Sequence, residues 1–340
     1  MEGLGLDHSF WSGRRVLLTG HTGFKGGWLA LWLASLGAEV TGFSAAPSTS
    51  PSLFDLARVG DDVRSIEGDV RDRDAVAAAY RVADPSVVLH LAAQAIVRAS
   101  YEDPVATYDI NVMGTINVLD AARASGAPLH SIVVVTSDKC YLNREWEWGY
   151  RENEALGGHD PYSSSKAGAE LVAAAYRDSY GMPVATGRAG NVIGGGDFSA
   201  DRLVPDAMRA LAADEYLRVR NPDSIRPWQH VLCPLHGYAL LAERGERGPW
   251  NFGPADEEAR PVRWLAERLG VQWESDSGEH PHEAHSLKLD SSKARTRLGW
   301  QPGWDLERGL DATAEWYAAH REGGDVRQVL LDQIAAYSAS

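Results

Sequence analysis

Apolar residues fall in two rhythms along this chain. Short runs bounded by turn residues occur at Arg15 to Gly20, Glu39 to Phe43, Val63 to Glu67, Val87 to Ala92, Ser131 to Thr136 and Val184 to Arg188. Runs of that length and texture predict strands, most of them buried on both faces. Between them, helical clustering marks Gly27 to Leu36, with Trp28, Leu29, Leu31, Trp32 and Leu33 on the repeat, then the alanine-rich Asp72 to Ala83, then Thr107 to Ser125 and Ser163 to Tyr180. Strands that alternate with helices in this way predict an α/β fold, a doubly wound parallel sheet covered on both faces.

After Gly194-Gly195-Gly196 the texture changes. Prolines, tryptophans and short segments become denser through Trp250, and a last helical stretch, Leu306 to His320, follows a Gly-Trp-Gln-Pro turn. The pattern predicts a first unit over residues 1–193 that contains the catalytic residues, and a smaller mixed substrate-binding lobe over 194–340, interwoven with it. No internal repeat or low-complexity tract interrupts the chain.

With 340 residues, 44% hydrophobic and 24% charged, the chain can bury a substantial core and has no composition that argues for disorder. A formal charge of −14 leaves no general basic face for a nucleic acid, although backbone amides could still bind phosphate locally. The two cysteines, Cys140 and Cys233, are too few for a disulfide framework and fit a reducing compartment. The start, with Glu2 and Asp7, does not read as a signal peptide, and no run reaches membrane-spanning length. The expectation is a soluble, cytoplasmic protein with no membrane or nucleic-acid partner.

Thr19-Gly20-His21-Thr22-Gly23-Phe24-Lys25-Gly26 follows the first strand and opens the first helix. In that setting Gly20 allows the tight turn, Gly23 lets the backbone approach a pyrophosphate, and Gly26 lets helix and strand pack. The helix start then offers amide donors to the anion. The turn, including Thr22, Phe24 and Lys25, is therefore a candidate dinucleotide site. The acidic residue that usually ends the second strand of such sites is replaced by Gly42-Phe43-Ser44, so NAD and NADP both remain open, with Ser44 able to bond a hydroxyl or a phosphate. Asp69, beside Val70, could accept from an adenine amino group, and the small Leu91, Ala92 and Ala93 could line the cofactor's centre. Asn111, polar inside a helical run, is expected to bond backbone across the sheet.

Tyr162 and Lys166 stand four residues apart at the start of a helix, so both side chains face one ligand. A neighbouring ammonium favours a phenolate, so Lys166 is expected to activate Tyr162 while bonding the cofactor's ribose. Ser137, just past an apolar strand, could share the substrate oxygen from which Tyr162 takes a proton. The glycine turn with Ser137, Tyr162 and Lys166 resembles the extended short-chain dehydrogenase/reductase superfamily. That resemblance implies a Rossmann domain, a tightly held nicotinamide cofactor and a nucleotide-sugar substrate. Within it, Ser137-Asp138-Lys139-Cys140-Tyr141, Arg144 to Glu152, Gly157 to Tyr162 and Arg226-Pro227-Trp228-Gln229-His230-Val231 resemble the CDP-glucose 4,6-dehydratases.

The chemistry of such enzymes explains why an acid and a base should follow Ser137. Oxidation at C4 of a hexose acidifies the proton at C5, so one side chain removes that proton while another protonates the departing C6 hydroxyl. The resemblance makes Asp138 the acid and Lys139 the base, and a lysine base has to be partly neutral. It places Asn191 and Arg202 where the family holds the nucleotide diphosphate, with Gln94, Arg226 and His230 also on the substrate side. Arginine suits a diphosphate through its planar fork.

His280, His282, Glu283 and His285 invite a metal reading, but Pro281 breaks the spacing and no metal is expected. Trp146 to Trp148 is expected to form packing or a wall of the sugar site. The resemblance also implies a homodimer through Thr107 to Ser125 and Ser163 to Tyr180. An epimerase or ketoreductase on the same scaffold would need Tyr162 but no Asp138-Lys139; the alternative of a dehydratase for another nucleotide sugar is set against the resemblance, which implies that many such enzymes carry an Asp-Glu pair where this chain has Asp138-Lys139. A cofactor-sensing protein without turnover would need neither.

Overall fold

A computed structural model describes residues 5–276, 278 and 287–340. Seven strands, β1 (Arg15–Thr19), β2 (Glu39–Ser44), β3 (Arg64–Glu67), β4 (Val87–His90), β5 (Ser131–Val135), β6 (Val184–Ala189) and β7 (Gly248–Phe252), form one sheet in the order β7-β6-β5-β4-β1-β2-β3. Every pairing is parallel. The order runs outward from β1 in one direction and from β4 in the other. Such a reversal leaves a crevice at the C-terminal ends of the central strands, and ligands of open α/β sheets bind there.

Alternation along the strands decides which helix covers which face. Val16 and Leu18 of β1 join a cluster with Trp28, Leu29 and Trp32 of α1 (Phe24–Ser35), whereas Leu17 joins a second cluster on the opposite face. That second cluster holds Val76 and Ala79 of α2 (Arg73–Ala83), Val118 and Leu119 of α3 (Gly114–Ser125), and Ala173 of α4 (Pro161–Tyr180). The period of two in each strand therefore feeds two separate cores.

Two findings differ from the sequence reading. β7 and the helix before it, α6 (Leu232–Arg244), which follows α5 (Leu203–Ala213), return to the main sheet from the part of the chain assigned to the lobe. Leu232, Leu235 and Leu241 pack with α1 on the first face. β7 escaped notice because Gly248, Pro249 and Asn251 break its apolar run, a composition that an edge strand tolerates. The helix expected over Thr107 to Ser125 is instead a short helix, Pro104–Tyr108, a π-helical turn, Asp109–Met113, and then α3. Asn111 lies in that turn, where it donates to the Gln94 carbonyl (3.0 Å) and accepts from the Gln94 amide (2.9 Å). Its side chain thus bonds backbone beyond β4, and the π turn carries it there.

The rest of the lobe is α5 with short strand pairs, Leu217–Val219 with Trp273–Ser275 and Ile225–Arg226 with Arg260–Pro261. The last helices, α7 (Leu306–Arg321) and α8 (Val326–Ser338), return Trp316, Leu330 and Tyr337 to the first cluster. Among the described residues no helix is long and apolar enough to cross a membrane.

Four histidines are sealed inside these layers: His21, His90, His230 and His236, none more than 3% exposed. Burial pushes them down to about 4, 3, 3 and 4 respectively. Their folded values lie below the unfolded value near 6.5, so the stability they contribute is complete above about pH 6.5 and is lost as pH falls. At pH 5 each costs about 2 kcal/mol, and four together rival the whole stability of an ordinary domain. The melting temperature should fall steeply between pH 6.5 and 5, and His236→Gln should lessen the slope; a flat profile down to pH 4.5 would refute the account.

Candidate active site

The start of α4 is built to fix one tyrosine. Asp160 caps the helix by accepting from the Ser163 amide at 2.9 Å, and Pro161 occupies the first turn. The Tyr162 amide donates to the Ser100 hydroxyl at 3.1 Å. Lys166, one turn on, is buried under the end of β5, where its ammonium donates to the Val135 carbonyl at 3.3 Å. From that same strand end, Ser137 opens a 3₁₀ turn, Asp138–Cys140, and accepts from the Lys139 amide at 3.2 Å.

These elements meet at a cavity of about 730 Å³, lined by Ser137, Asp138, Lys139, Tyr162 and Asn191 and by Arg202 and Arg226 from the lobe. Arg202 is ion-paired with Asp197 at 3.1 Å, and Arg226 is buried. Basic and acidic side chains are mixed along this opening, and the guanidinium groups of Arg202 and Arg226 are the ones suited to a nucleotide's phosphates.

The electrostatics of the base follow from burial. Loss of water pushes the Tyr162 phenol up to about 12, and the strongest opposing influence is its hydrogen bond with Ser137, followed by Arg202. Lys166, expected beside the phenol, here donates to the Val135 carbonyl at 3.3 Å, and the Ser137 hydroxyl donates to Asp138 at 2.9 Å. Burial pulls Lys166 itself down to about 8, against the attraction of Glu170. Asp138, 3% exposed, is raised above the usual carboxylate range by burial, despite Lys139, the 2.9 Å hydrogen bond from Ser137 and the nearby Arg226.

Next to this base lies the glycine turn. Gly20 has φ of +79°, and a Cβ there would sit 2.7 Å from the Ala92 amide nitrogen. A Cβ on Gly26 would come within 2.0 Å of the Gly20 carbonyl. Only glycine permits this approach of helix, strand β1 and the Leu91-Ala92-Ala93 segment. Gly23 precedes α1 as its N-cap, and no side chain caps the helix's first amides, as an anion-binding helix start requires. A dinucleotide's pyrophosphate fits this cradle at the reversal between β1 and β4.

Other expected residues have their side chains committed elsewhere. His230 is corrected: it is fully buried between Trp28 and Trp304, with ring centroids at 5.6 and 4.9 Å, and does not line the cavity. Gln94 is likewise corrected, since its amide bonds Thr107 (3.0 Å) and the Ile96 amide, which ties its own loop together. Ser44 is joined to Thr22 at 2.8 Å. Asp69 is ion-paired with Arg71 at 2.6 Å, and Val70 is packed in the second core cluster. Phe24 packs beside Gly194. Trp146 stacks on Tyr150 (5.7 Å), which stacks on Tyr141 (5.2 Å), in a satellite cluster outside the cavity, so it is packing and not a wall. His280, His282, Glu283 and His285 lie outside the described residues, among which no group of metal-ligating side chains occurs.

Sequence reasoning missed the support of the site. Glu170 accepts from Arg188 at 2.7 and 2.9 Å, from Thr186 at 2.7 Å and from Thr136 at 2.5 Å. Arg188 also donates to the Tyr141 hydroxyl at 2.7 Å, which in turn donates to Asn251 of β7 at 2.8 Å. The signal was present, because Glu170 follows Lys166 by four residues, as Lys166 follows Tyr162.

Residues 17–313 match the family model described as GDP-mannose 4,6 dehydratase. A CDP-glucose 4,6-dehydratase from Salmonella typhimurium is 47% identical over 98% of this chain and 99% of its own length. A dTDP-glucose 4,6-dehydratase from Streptomyces griseus is 31% identical over 90% of this chain and 94% of its own length. The crystal structure of DesIV, a dTDP-glucose 4,6-dehydratase from Streptomyces venezuelae with NAD and TYD bound, superposes with a TM-score of 0.80 at 25% identity, covering 92% of this chain and 99% of that one.

Breaking the buried Arg188–Glu170 pair from one side leaves an uncompensated charge, at a cost of about 3–5 kcal/mol. Arg188→Leu should therefore lower unfolding stability in urea by that amount. A loss below about 1 kcal/mol would show that the pair is not what holds the site.

Proposed function

Because the chain belongs to the GDP-mannose 4,6-dehydratase family, we propose that it converts CDP-D-glucose to CDP-4-keto-6-deoxy-D-glucose with NAD as its cofactor. The observation that carries this reading is the convergence of Ser137, Asp138, Lys139 and Tyr162 on one cavity beside the glycine turn, with Arg202 and Arg226 opposite. The substrate is taken from the Salmonella relative, which shares 47% identity across nearly the whole chain, and the cofactor from DesIV.

Tyr162 takes the proton of the C4 hydroxyl, and Ser137, which lines the same cavity, holds the same oxygen. NAD, when bound at the glycine turn, supplies the oxidant for C4 and later the reductant for C6. Lys139 removes the C5 proton, now acidic beside the C4 ketone, and Asp138 gives its proton to the C6 hydroxyl, which leaves as water. Burial that favours the protonated carboxyl equips Asp138 for this role. Arg202 and Arg226 hold the diphosphate, with Asn191 beside them.

The protein also forms a homodimer in this reading. The Pro104–Tyr108 helix, the π turn and α4 leave Val105 71%, Met113 46%, Leu171 61% and Tyr180 59% exposed, an apolar surface that a second copy would cover. The two cysteines are free and buried, in keeping with work in a reducing cytoplasm.

Incubation with CDP-, dTDP-, GDP- and UDP-glucose should give a 4-keto product fastest with the CDP sugar; no product from any would overturn the reading. Tyr162→Phe should lower turnover by about 10²–10⁴-fold. Lys139→Met should instead permit C4 oxidation while abolishing exchange of the C5 hydrogen with solvent; exchange at the normal rate would remove Lys139 from the mechanism. For the assembly, Leu171→Glu should halve the mass measured by light scattering, and a wild-type mass of one chain would rule the dimer out.

A further inference from the structure

His90 ends β4, at the reversal of the sheet beside the glycine turn, and both of its ring nitrogens have partners. Nδ1 lies 2.7 Å from the hydroxyl of Thr19, the last residue of β1, and Nε2 lies 3.2 Å from the hydroxyl of Thr115 on α3. The other bonds of those hydroxyls decide where the protons go. Thr115 Oγ1 is 2.7 Å from the Asn111 carbonyl, which can only accept, so its single proton is spent there and its oxygen accepts from Nε2–H. A neutral ring then offers an acceptor at Nδ1, and the Thr19 hydroxyl donates to it.

The chain of bonds continues beyond both threonines. Thr19 Oγ1 accepts from the Ala92 amide at 3.2 Å, so donation runs in one direction from Ala92 to Thr19 to His90, and from His90 through Thr115 to Asn111. Asn111 donates to Ser165 at 2.8 Å and Ser165 to the Tyr162 carbonyl at 2.7 Å, which anchors the far end on α4. The near end is where space is tightest. The Ala92 amide nitrogen stands 2.7 Å from where a Cβ on Gly20 would be, so any shift of Ala92 alters the turn that cradles the pyrophosphate. A charged ring would break the order, because a proton on Nδ1 would take the place of the one that Thr19 donates. Burial, aided by the charge of Lys166, keeps the ring neutral.

We propose that His90 is a positioning residue for the dinucleotide cofactor: as a neutral ring with its proton on Nε2, it sets, through Thr19, where the Ala92 amide stands against the glycine turn. This rests on the reading that the turn holds NAD. The ring is 2% exposed, so it acts through Thr19 and Ala92 and not by contact. A side chain that only filled space would need the volume of an imidazole but no nitrogen at either position, and that difference can be measured.

Nitrogen NMR of the isotope-labelled full chain at neutral pH should show one ring, missing in His90→Asn, with a bare Nδ1 and a protonated Nε2. A proton on Nδ1 overturns the proposal even if no variant folds. In titration calorimetry His90→Leu, which fills the site without either nitrogen, should weaken NAD by about tenfold. His90→Asn is smaller but returns an amide oxygen near the place of Nδ1, and it should restore NAD affinity to within a few fold. Affinity for CDP, held by the lobe, should stay within about twofold in both variants. Unchanged NAD affinity in His90→Leu overturns the proposal, as does an equal loss in the two variants or a loss for CDP that matches the loss for NAD. If wild type binds NADP and not NAD, the cofactor assignment fails while the comparison proceeds with NADP; a wild type that binds neither sinks both.

Discussion

One buried ion pair, Arg188 with Glu170, holds the catalytic elements in register. Both side chains are 3% exposed, and the carboxylate receives four hydrogen bonds, from the guanidinium and from two threonines on neighbouring strands. Burial alone would raise Glu170, yet Arg188 and the hydroxyls hold it below its ordinary value, so it stays charged inside the core. The consequence is geometric. Glu170 fixes the rotation of α4, Thr136 immediately precedes Ser137, and Arg188 reaches through Tyr141 to Asn251 on the edge strand. The helix that carries Tyr162 and Lys166 and the strand end that carries Ser137 therefore share one polar anchor.

That anchor only matters because the sheet order puts the two halves of the chemistry at one crevice. The reversal between β1 and β4 opens space above the strand ends, the glycine turn occupies one side of it, and β5 delivers Ser137 to the other. The lobe then closes the space with arginines whose charge runs against that of the molecule as a whole. A negative net charge does not prevent individual guanidinium groups at an opening from binding an anion.

Much of this was legible in the residues. Six of the seven strands, α1, α2 and α4 follow from apolar runs and helical spacing, because burial dictates those patterns directly. β7 was not legible, since an edge strand with Gly248 and Pro249 need not show an apolar run. The π turn at Asp109–Met113 was hidden because it serves one inward amide, Asn111, and leaves the apolar rhythm around it intact. Among site residues, Ser137, Tyr162 and the arginines fall on the cavity, whereas His230 and Gln94 do not. A polar residue in a resembling motif can be spent on packing or on its own loop, and only the fold shows which. Lys166 illustrates the finer limit: spacing put it on the face of Tyr162, but its hydrogen-bond partner depended on where the Val135 carbonyl ended.

The adjacency of Asp138 and Lys139 poses a problem that sequence could state but not solve. In an extended strand, neighbouring side chains point to opposite faces, so an acid and a base next to each other would serve different sides of the sheet. The 3₁₀ turn Asp138–Cys140 removes the alternation, and both residues line one cavity. Asp138 is buried there and Lys139 half-buried. In the proposed elimination a neutral carboxyl and a neutral amine become a carboxylate and an ammonium, one proton leaving Asp138 as another reaches Lys139. The two charges created in that step arise on adjacent residues and attract each other, as the stabilising influence of Lys139 on ionised Asp138 indicates. Burial disfavours either charge alone but penalises the pair far less, so the enclosure that keeps Asp138 protonated beforehand opposes the chemistry little once both protons move. A carboxylate in place of Lys139 would place two anions side by side when Asp138 ionised, and would need another source of compensation.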